Sequence, residues 1–434
     1  MTSMANKART VNKTVWMIAM DCSTPEDGPH NRHFWFAKHL KARGYNVVVF
    51  VASRERGSSI QKISDKSPYL IDETHGFPFV YIRIRDYGES MKRRVAAIAA
   101  FHVRLARYSR SFAERFGRPD VILGSSGYPL SPWLAHRFAR RFDAKSICEI
   151  RDLWPLSLEE YGIIKPGGAI AKAMYVLERK NYENANAIVF LMEGGEDYIC
   201  NKGWNTGSGG KIDLTKVYHI NNGIDLDAFK ENAASFDCPV EALKDNGKVK
   251  IIYAGSIRRA NNIGFLVDVA QCMRNDRDIE FVALGAGDEL DVLRDRAQDL
   301  GLDNIVFPGA IDKREIPASL KRAQILLLLY SSSQVNLSQY GMSQNKLFDY
   351  LASGKPILSN LPSNYSIINK YDCGVERSFT SPEDFAGQIR KMISDKSSMR
   401  RWSENARATA ELYSFVSHTN HLINVIEDIT KEEQ

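Results

Sequence analysis

The feature that most limits what this chain can fold into is a repeated alternation. Short runs rich in Val, Ile, Leu and Phe recur between longer stretches of helical spacing, and the whole pattern occurs twice. In the first half the runs are VWMIAM (15–20), NVVVFVA (46–52), FPFVYIRI (77–84), DVILGS (120–125), KSICEI (145–150) and AIVFLM (187–192). In the second they are VKIIYAGS (249–256), IEFVALGAG (279–287), NIVFPGA (304–310), AQILLLLYS (323–331) and KPILSN (355–360). Apolar runs without strict alternation mark strands covered on both faces, as in parallel sheets flanked by helices. The helices have legible ends: the stretch NRHFWFAKHLKARG places Phe34, Ala37 and Leu40 on one face and stops at Gly44, and the helix through Phe348 closes at Gly354.

At 434 residues the chain exceeds what one core usually supports, so two α/β domains are expected. The polar, turn-rich segment 221–250 separates them. This reading gives a first domain over 1–227 and a second over 228–411. The remaining 412–434 reads as helix without new strands and is expected to pack back onto the first domain.

Composition excludes several classes. Hydrophobic content of 44% and charged content of 25% are ordinary globular values, and no repeat or low-complexity tract appears. Cys22, Cys148, Cys200, Cys238, Cys272 and Cys373 are scattered without metal or redox spacing and read as reduced thiols of a cytoplasmic protein. The apolar run near the N-terminus is too short for a signal peptide core, and ILLLLY (325–330) is far below spanning length. Net charge is +6, and the excess of Lys and Arg lies within residues 1–200. Between Arg83 and Arg118 ten Lys or Arg face only three acids, and 91–116 reads as a basic amphipathic helix with Val95, Ile98, Val103 and Ala106 near helical spacing. Such a stretch suits nucleic acid, anionic lipid or phosphorylated substrates, or a solvated face.

Five motifs then occur in order: NGID (222–225), the YAGS strand with its loop, LGAGDEL (284–290), VFPGAIDKREI (306–316) and MSQNKLFDYLASGKPIL (342–358). Together with RDLWP (151–155), this set resembles retaining glycosyltransferases of the GT-B architecture, family four, in the subgroup that makes bacterial surface polysaccharides such as O-antigen, capsule and exopolysaccharide. The resemblance covers nearly the whole chain. It implies two Rossmann-like domains with parallel sheets facing an interdomain cleft. It also implies transfer of a sugar from a nucleoside diphosphate, with UDP the expected carrier, to a polyprenyl-diphosphate-linked saccharide. The protein is then expected to be cytoplasmic and peripheral on the inner face of the cell membrane, held to anionic lipid by its basic helix, with no role for nucleic acid. No metal and no cofactor beyond the nucleotide-sugar co-substrate are expected.

A nucleoside diphosphate needs cations, free backbone N–H groups at a helix start and a carboxylate for its ribose. The stretch after Tyr340 offers these. Gly341, Met342, Ser343, Gln344 and Asn345 stand at a helix start, where the dipole favours phosphate. Lys346 adds a charge, and Asp349, one turn on, matches the family's ribose-binding glutamate. The alternative is a surface ion pair between Lys346 and Asp349. The family's first glutamate stands eight residues earlier, where this chain has Gly341. After Gly255 the family carries an arginine and, five residues on, a lysine. Here these positions are Ser256 and Asn261, which leaves Arg258 or, preferentially, Arg259 to supply a cation, or both to face solvent. The resemblance places the loop of Gly287 at the donor and gives Ile311 a backbone contact to the base.

On the acceptor side Gly28, in the first strand-to-helix loop, is assigned to close approach of a donor phosphate. His30, Arg32 and His33 are assigned to an acceptor phosphate, or else to caps and solvated positions. Arg151 stands where many relatives have a histidine near the donor sugar. Arginine is no base at neutral pH, so Arg151 stabilises charge or orients, with Asp152 as its orienting partner, as a group near the acceptor hydroxyl, or as half of a structural salt bridge. Three other readings compete. A dinucleotide-binding reading of LGAG lacks the third glycine. A sugar epimerase on the same scaffold would want acid/base groups in the cleft, and a noncatalytic nucleotide-sugar or lipid-binding partner would explain the missing glutamate and cations.

Overall fold

A computed structural model of the chain describes residues 13–54, 60–88, 90–331 and 335–431. Its strands are β1 (Thr14–Ile18), β2 (Asn46–Ala52), β3 (Tyr69–Asp72), β4 (Phe79–Ile82), β5 (Val121–Ser125), β6 (Lys145–Ile150), β7 (Ala187–Phe190), β8 (Val217–His219), β9 (Val249–Ala254), β10 (Ile279–Leu284), β11 (Ile305–Gly309), β12 (Ile325–Leu328), β13 (Ile357–Ser359) and β14 (Gly374–Glu376). The first eight form one sheet in the order β3-β4-β2-β1-β5-β6-β7-β8, and the other six a second in the order β11-β10-β9-β12-β13-β14. The pairings between these strands are parallel except that of β3 with β4. The chain is therefore α/β in two lobes, each a parallel sheet between helices.

Burial on both faces is visible residue by residue. In β1, Val15 and Met17 join one core while Trp16 and Ile18 join the core on the opposite face. That is why the sequence reads as unbroken apolar runs. The strands with no such run are β3, β8 and β14, each three or four residues long, partly exposed and at a sheet edge. An edge strand has one neighbour and needs little apolar surface.

The lobes are not two continuous segments. Helix Phe415–Thr430 buries Leu422, Val425 and Ile426 in the first lobe's core, beside Phe36 and Leu40 of helix Arg32–Ala42. Glu427 accepts from Lys13 at 2.6 Å and from Tyr45 at 2.7 Å. The chain passes between lobes at two places, around Ile224 and around Ser414, and these lie side by side: Ile224 N donates to Tyr413 O at 3.1 Å and Phe415 N to Ile224 O at 2.9 Å.

The basic helix spans Met91–Phe116, but its inward stripe differs from the expected one. Ala97, Phe101, Leu105 and Phe112 are buried, and Ile98 and Ala106 pack partly against them. Val95 and Val103 are 58% and 66% exposed. The i, i+4 stripe through the two phenylalanines buries more apolar area than one through the valines, and it sets the helix rotation. Not all its cations are free: Arg104 donates to Arg83 O at 2.7 Å, and the Arg94 guanidinium lies 5.5 Å from the Tyr128 ring centre.

Candidate active site

Loops at the carboxyl ends of the two sheets meet along a seam, and the segment 340–345 lies within it. Gly194 N, beyond β7, donates to Tyr340 O at 2.9 Å, and Asn201 donates to the Tyr340 hydroxyl at 3.2 Å. The Tyr340 ring packs into the first lobe's core, edge to face with Tyr198. Asn222 Nδ2 donates to Ser343 O at 2.7 Å, its backbone N–H donates to Ser343 Oγ at 3.1 Å, and that hydroxyl also bonds Asn221. Ser343, assigned to the donor, thus helps hold the lobes together, Gly341 lies in the seam beside Glu193, and Met342 packs partly against the second lobe's core, where Ile311 also lies. Gly341 has φ +94, and a β-carbon there would sit 3.4 Å from Glu193 N and 3.3 Å from Tyr365 Cβ. A glutamate at 341 would be strained by the positive φ and would press on Tyr365 by a few tenths of an ångström.

Helix Asn345–Ser353 follows, closed by Gly354 in the left-handed conformation. Leu347, Phe348 and Leu351 are buried, which turns the other faces outward. Asn345 and Asp349, four residues apart on one face, line an interdomain cavity of about 570 Å³. The same cavity is bordered by His30, Arg32, His33 and Arg151 of the first lobe and by Lys313 and Arg314 of the second. Burial raises the Asp349 carboxyl to about 6, against the pull of Lys313.

One residue round the helix, Lys346 points elsewhere. Its Nζ donates to the Tyr253 hydroxyl at 2.8 Å and to Asn261 Oδ1 at 3.3 Å, at the carboxyl end of β9. A β-carbon on Gly255 would lie 2.9 Å from that Nζ. Burial pushes the Lys346 ammonium down to about 7. Lys346 and Asp349 therefore do not form the surface ion pair considered as the alternative. Gly255 and Ser256 belong to this node. Gly287 serves packing: a β-carbon there would come within 2.0 Å of Ile257 O in the neighbouring loop.

The remaining assignments fall as follows. Arg258 and Arg259 are exposed, and neither has a partner among the described residues. Gly28 is half-buried, its N–H on Thr24 O at 3.2 Å. Asp152 is exposed, and His30 is half-buried at the cavity wall. Arg32 and His33 are corrected. Both are buried and bound to Glu149 of β6, Arg32 Nε at 2.9 Å and His33 Nε2 at 2.7 Å, and Arg32 also donates to the carbonyls of Ile220 and Asn221. Burial alone would raise Glu149, but the adjacent Arg32 charge and these hydrogen bonds hold it well below the carboxylate range. Burial also lowers His33, which is neutral at pH 7 and donates as an imidazole. These two side chains close the back wall and are not available as an acceptor-phosphate clamp. Arg151, two residues after Glu149, keeps its side chain at the cavity wall while its N–H donates to Ser126 Oγ at 3.0 Å.

Sequence reasoning missed Glu149, Tyr253, the cavity cations Lys38, Lys313 and Arg314, and the seam residues Asn221 and Gly194. Only Tyr253 carried a local signal, a tyrosine following two isoleucines near the end of β9. Among the described residues no group of His, Cys, Asp and Glu could hold a metal ion, and no helix is long and apolar enough to cross a membrane.

Two facing Rossmann-like lobes with a cation and a carboxylate on one helix at the seam define the architecture of nucleotide-sugar transferases. Residues 27–207 match the family described as "Glycosyl transferase 4-like domain" and residues 239–409 that described as "Glycosyl transferases group 1". The chain belongs to the GT-B glycosyltransferases of family four. It is 25% identical over 157 residues to the putative teichuronic acid biosynthesis glycosyltransferase TuaH of Bacillus subtilis (strain 168), a match spanning 36% of this chain and 37% of that relative. Similar folds include sucrose-phosphate synthase of Thermosynechococcus elongatus (15% identity, TM-score 0.68, 96% of this chain and 99% of that one). Another is Anabaena HepE in complex with UDP (12% identity, TM-score 0.66, 96% of this chain and 100% of that one).

Proposed function

We propose that this protein transfers a hexose from UDP to a polyprenyl-diphosphate-linked saccharide in bacterial surface polysaccharide synthesis, with retention at the anomeric carbon. The observation that carries the reading is the half-buried Lys346 ammonium, held by uncharged partners beside Gly255, with Asp349 of the same helix turned into the interdomain cavity. HepE has been crystallised with UDP and with UDP-glucose, and TuaH is named for a surface-polymer pathway, which supports this choice of donor and product class.

In this reading the pyrophosphate lies between Lys346 and the uncapped N–H groups of Asn345 and Lys346, and Asp349 accepts the ribose hydroxyls. Breakage of the bond from C1 to the phosphate oxygen puts charge on the leaving diphosphate, and Lys346 stabilises it, with Arg151 or the exposed Arg259 or Arg258 as further cations. The acceptor hydroxyl bonds to C1 on the face the phosphate leaves, and its proton passes to the departing phosphate oxygen. No protein carboxylate pair and no metal ion is needed. His30 and Lys38 line the first lobe's side of the cavity, and in this reading they meet the acceptor's phosphates.

Calorimetric titration in excess chelator tests the donor assignment. UDP is expected to bind more tightly than GDP or ADP, and absence of binding by all three removes the reading. A noncatalytic partner would bind UDP yet leave a UDP-sugar intact, whereas the transferase slowly hydrolyses it.

Membrane docking is proposed through the helix Met91–Phe116, where Lys92, Arg93, Arg107 and Arg110 are exposed beside the exposed Met91, Val95 and Val103. Replacing Arg93, Arg107 and Arg110 by glutamine is expected to weaken binding to anionic liposomes roughly a hundredfold in co-sedimentation, at about 1 kcal/mol per cation. Co-sedimentation unchanged by these substitutions and by salt defeats this part.

A further inference from the structure

A lysine side chain has four flexible bonds, and ordering it costs about 2 kcal/mol. In this protein two neutral groups already hold the Lys346 ammonium, and both are fixed so that only an acceptor faces it. The Tyr253 hydroxyl donates its proton to Ser256 O at 2.8 Å and therefore presents a lone pair to Lys346 Nζ. Asn261 Nδ2 donates to Ser256 O at 2.8 Å and to Ser256 Oγ at 2.9 Å, which turns Oδ1 toward Lys346. Asn261 is buried, held in a short turn at Arg259–Asn261. No carboxylate among the described residues pairs with the ammonium.

We infer that Tyr253 and Asn261 are positioning residues that fix the Lys346 ammonium at the end of β9 before the donor arrives, so that the charge at this point, not the side chain that delivers it, is what the pyrophosphate requires. The inference rests on the reading of Lys346 as the pyrophosphate cation. A surface lysine would search many rotamers, and binding would have to order it. Here Tyr253 and Asn261 have done so in advance, and neither neutralises the charge. Residue 261 lies within 3.3 Å of the ammonium across the loop, so a lysine placed there reaches the same point from the opposite side.

Two experiments on the full chain separate the possibilities, both read as the Kd of UDP by calorimetry with a melting curve for each variant. In a double-mutant cycle, Tyr253→Phe is expected to weaken UDP binding about fivefold when Lys346 is present and not at all in the Lys346→Met background. Equal effects in both backgrounds overturn the inference, because Tyr253 then acts without Lys346. In the second, Asn261→Lys combined with Lys346→Met is expected to recover at least about tenfold of the affinity lost in Lys346→Met alone. A folded double variant that recovers nothing overturns the inference as well. If Lys346→Met itself binds UDP like the natural protein, the reading of Lys346 fails first, a result distinct from either of these. Should the double variant not fold, the cycle with Tyr253→Phe decides alone.

Discussion

Lys346→Met is expected to lower the rate of sugar transfer about 10²–10³-fold, the scale seen when one fixed donor to a developing oxyanion is removed. It should do so without loss of folding, because the ammonium is held against burial by neutral partners only and methionine fills much the same volume. A fall of less than threefold in the turnover of a UDP-sugar would sink the assignment. The same group predicts a pH profile. Burial has moved Lys346 down to about 7, and a bound pyrophosphate favours its charged form, so donor binding takes up a proton and affinity falls as pH rises above about 7. Asp349 gives the opposite limb: raised to about 6 by burial, it loses the carboxylate needed for ribose as pH falls through that value. The titratable groups around the pair are Tyr253, Tyr350 and Lys313, and the tyrosines stay protonated, being pushed upward by burial. Affinity for UDP should peak between the two values. For stability the lysine has the reverse sign: its folded value lies below the unfolded one, so the native state holds fewer protons between about 7 and 10.5 and becomes more stable as pH rises through that window.

The second large effect belongs to Glu149. Among the described residues its carboxylate is the sole acidic partner of the buried Arg32 guanidinium, and it also takes the His33 hydrogen bond. Glu149→Ala removes the counter-charge and leaves Arg32 buried, a loss of about 3–5 kcal/mol for breaking one side of a buried pair. Urea denaturation should show it, and a loss under about 1 kcal/mol would mean that water or a shifted carbonyl replaces the carboxylate. Because the folded carboxylate lies far below its ordinary value, this stability is present above about pH 4.5 and is lost as pH falls toward the folded value. Arg151 stands two residues further along the chain, so a milder change, Glu149→Gln, should also disturb the cavity wall.

How far the sequence speaks depends on whether a property is local. β2 and β6 match the expected runs residue for residue: covering on both faces makes β2 apolar from Val47 on, and β6 departs from that only at Lys145, Ser146 and Glu149, the last of which is paired by Arg32 and His33. The helix through Phe348 closes at Gly354, as its glycine announces. The edge strands β3, β8 and β14 were silent, since one neighbour and a wet face demand no apolar run. Arg32 and His33 look like ligand groups at a helix start, but their partner lies 117 and 116 residues away, and no local pattern records such a distance. Lys346 was legible as a cation but not in its direction: one step along a helix is a turn of about 100°, which separates it from the cavity face of Asn345 and Asp349. Asn261, met in the sequence as a lost charge, proves to touch the charge that stands in the second lobe.

The helix Phe415–Thr430 carries a consequence for biosynthesis. A ribosome releases the first lobe's sheet early, yet the apolar groove over Phe36 and Leu40 stays uncovered until residue 430 has cleared the exit tunnel. The lobe that emerges first is thus completed last, and during most of translation it presents a sticky flank to chaperones. A fragment cut at the interlobe connection would keep that flank permanently bare and should aggregate, unless the closing helix is supplied as a separate peptide.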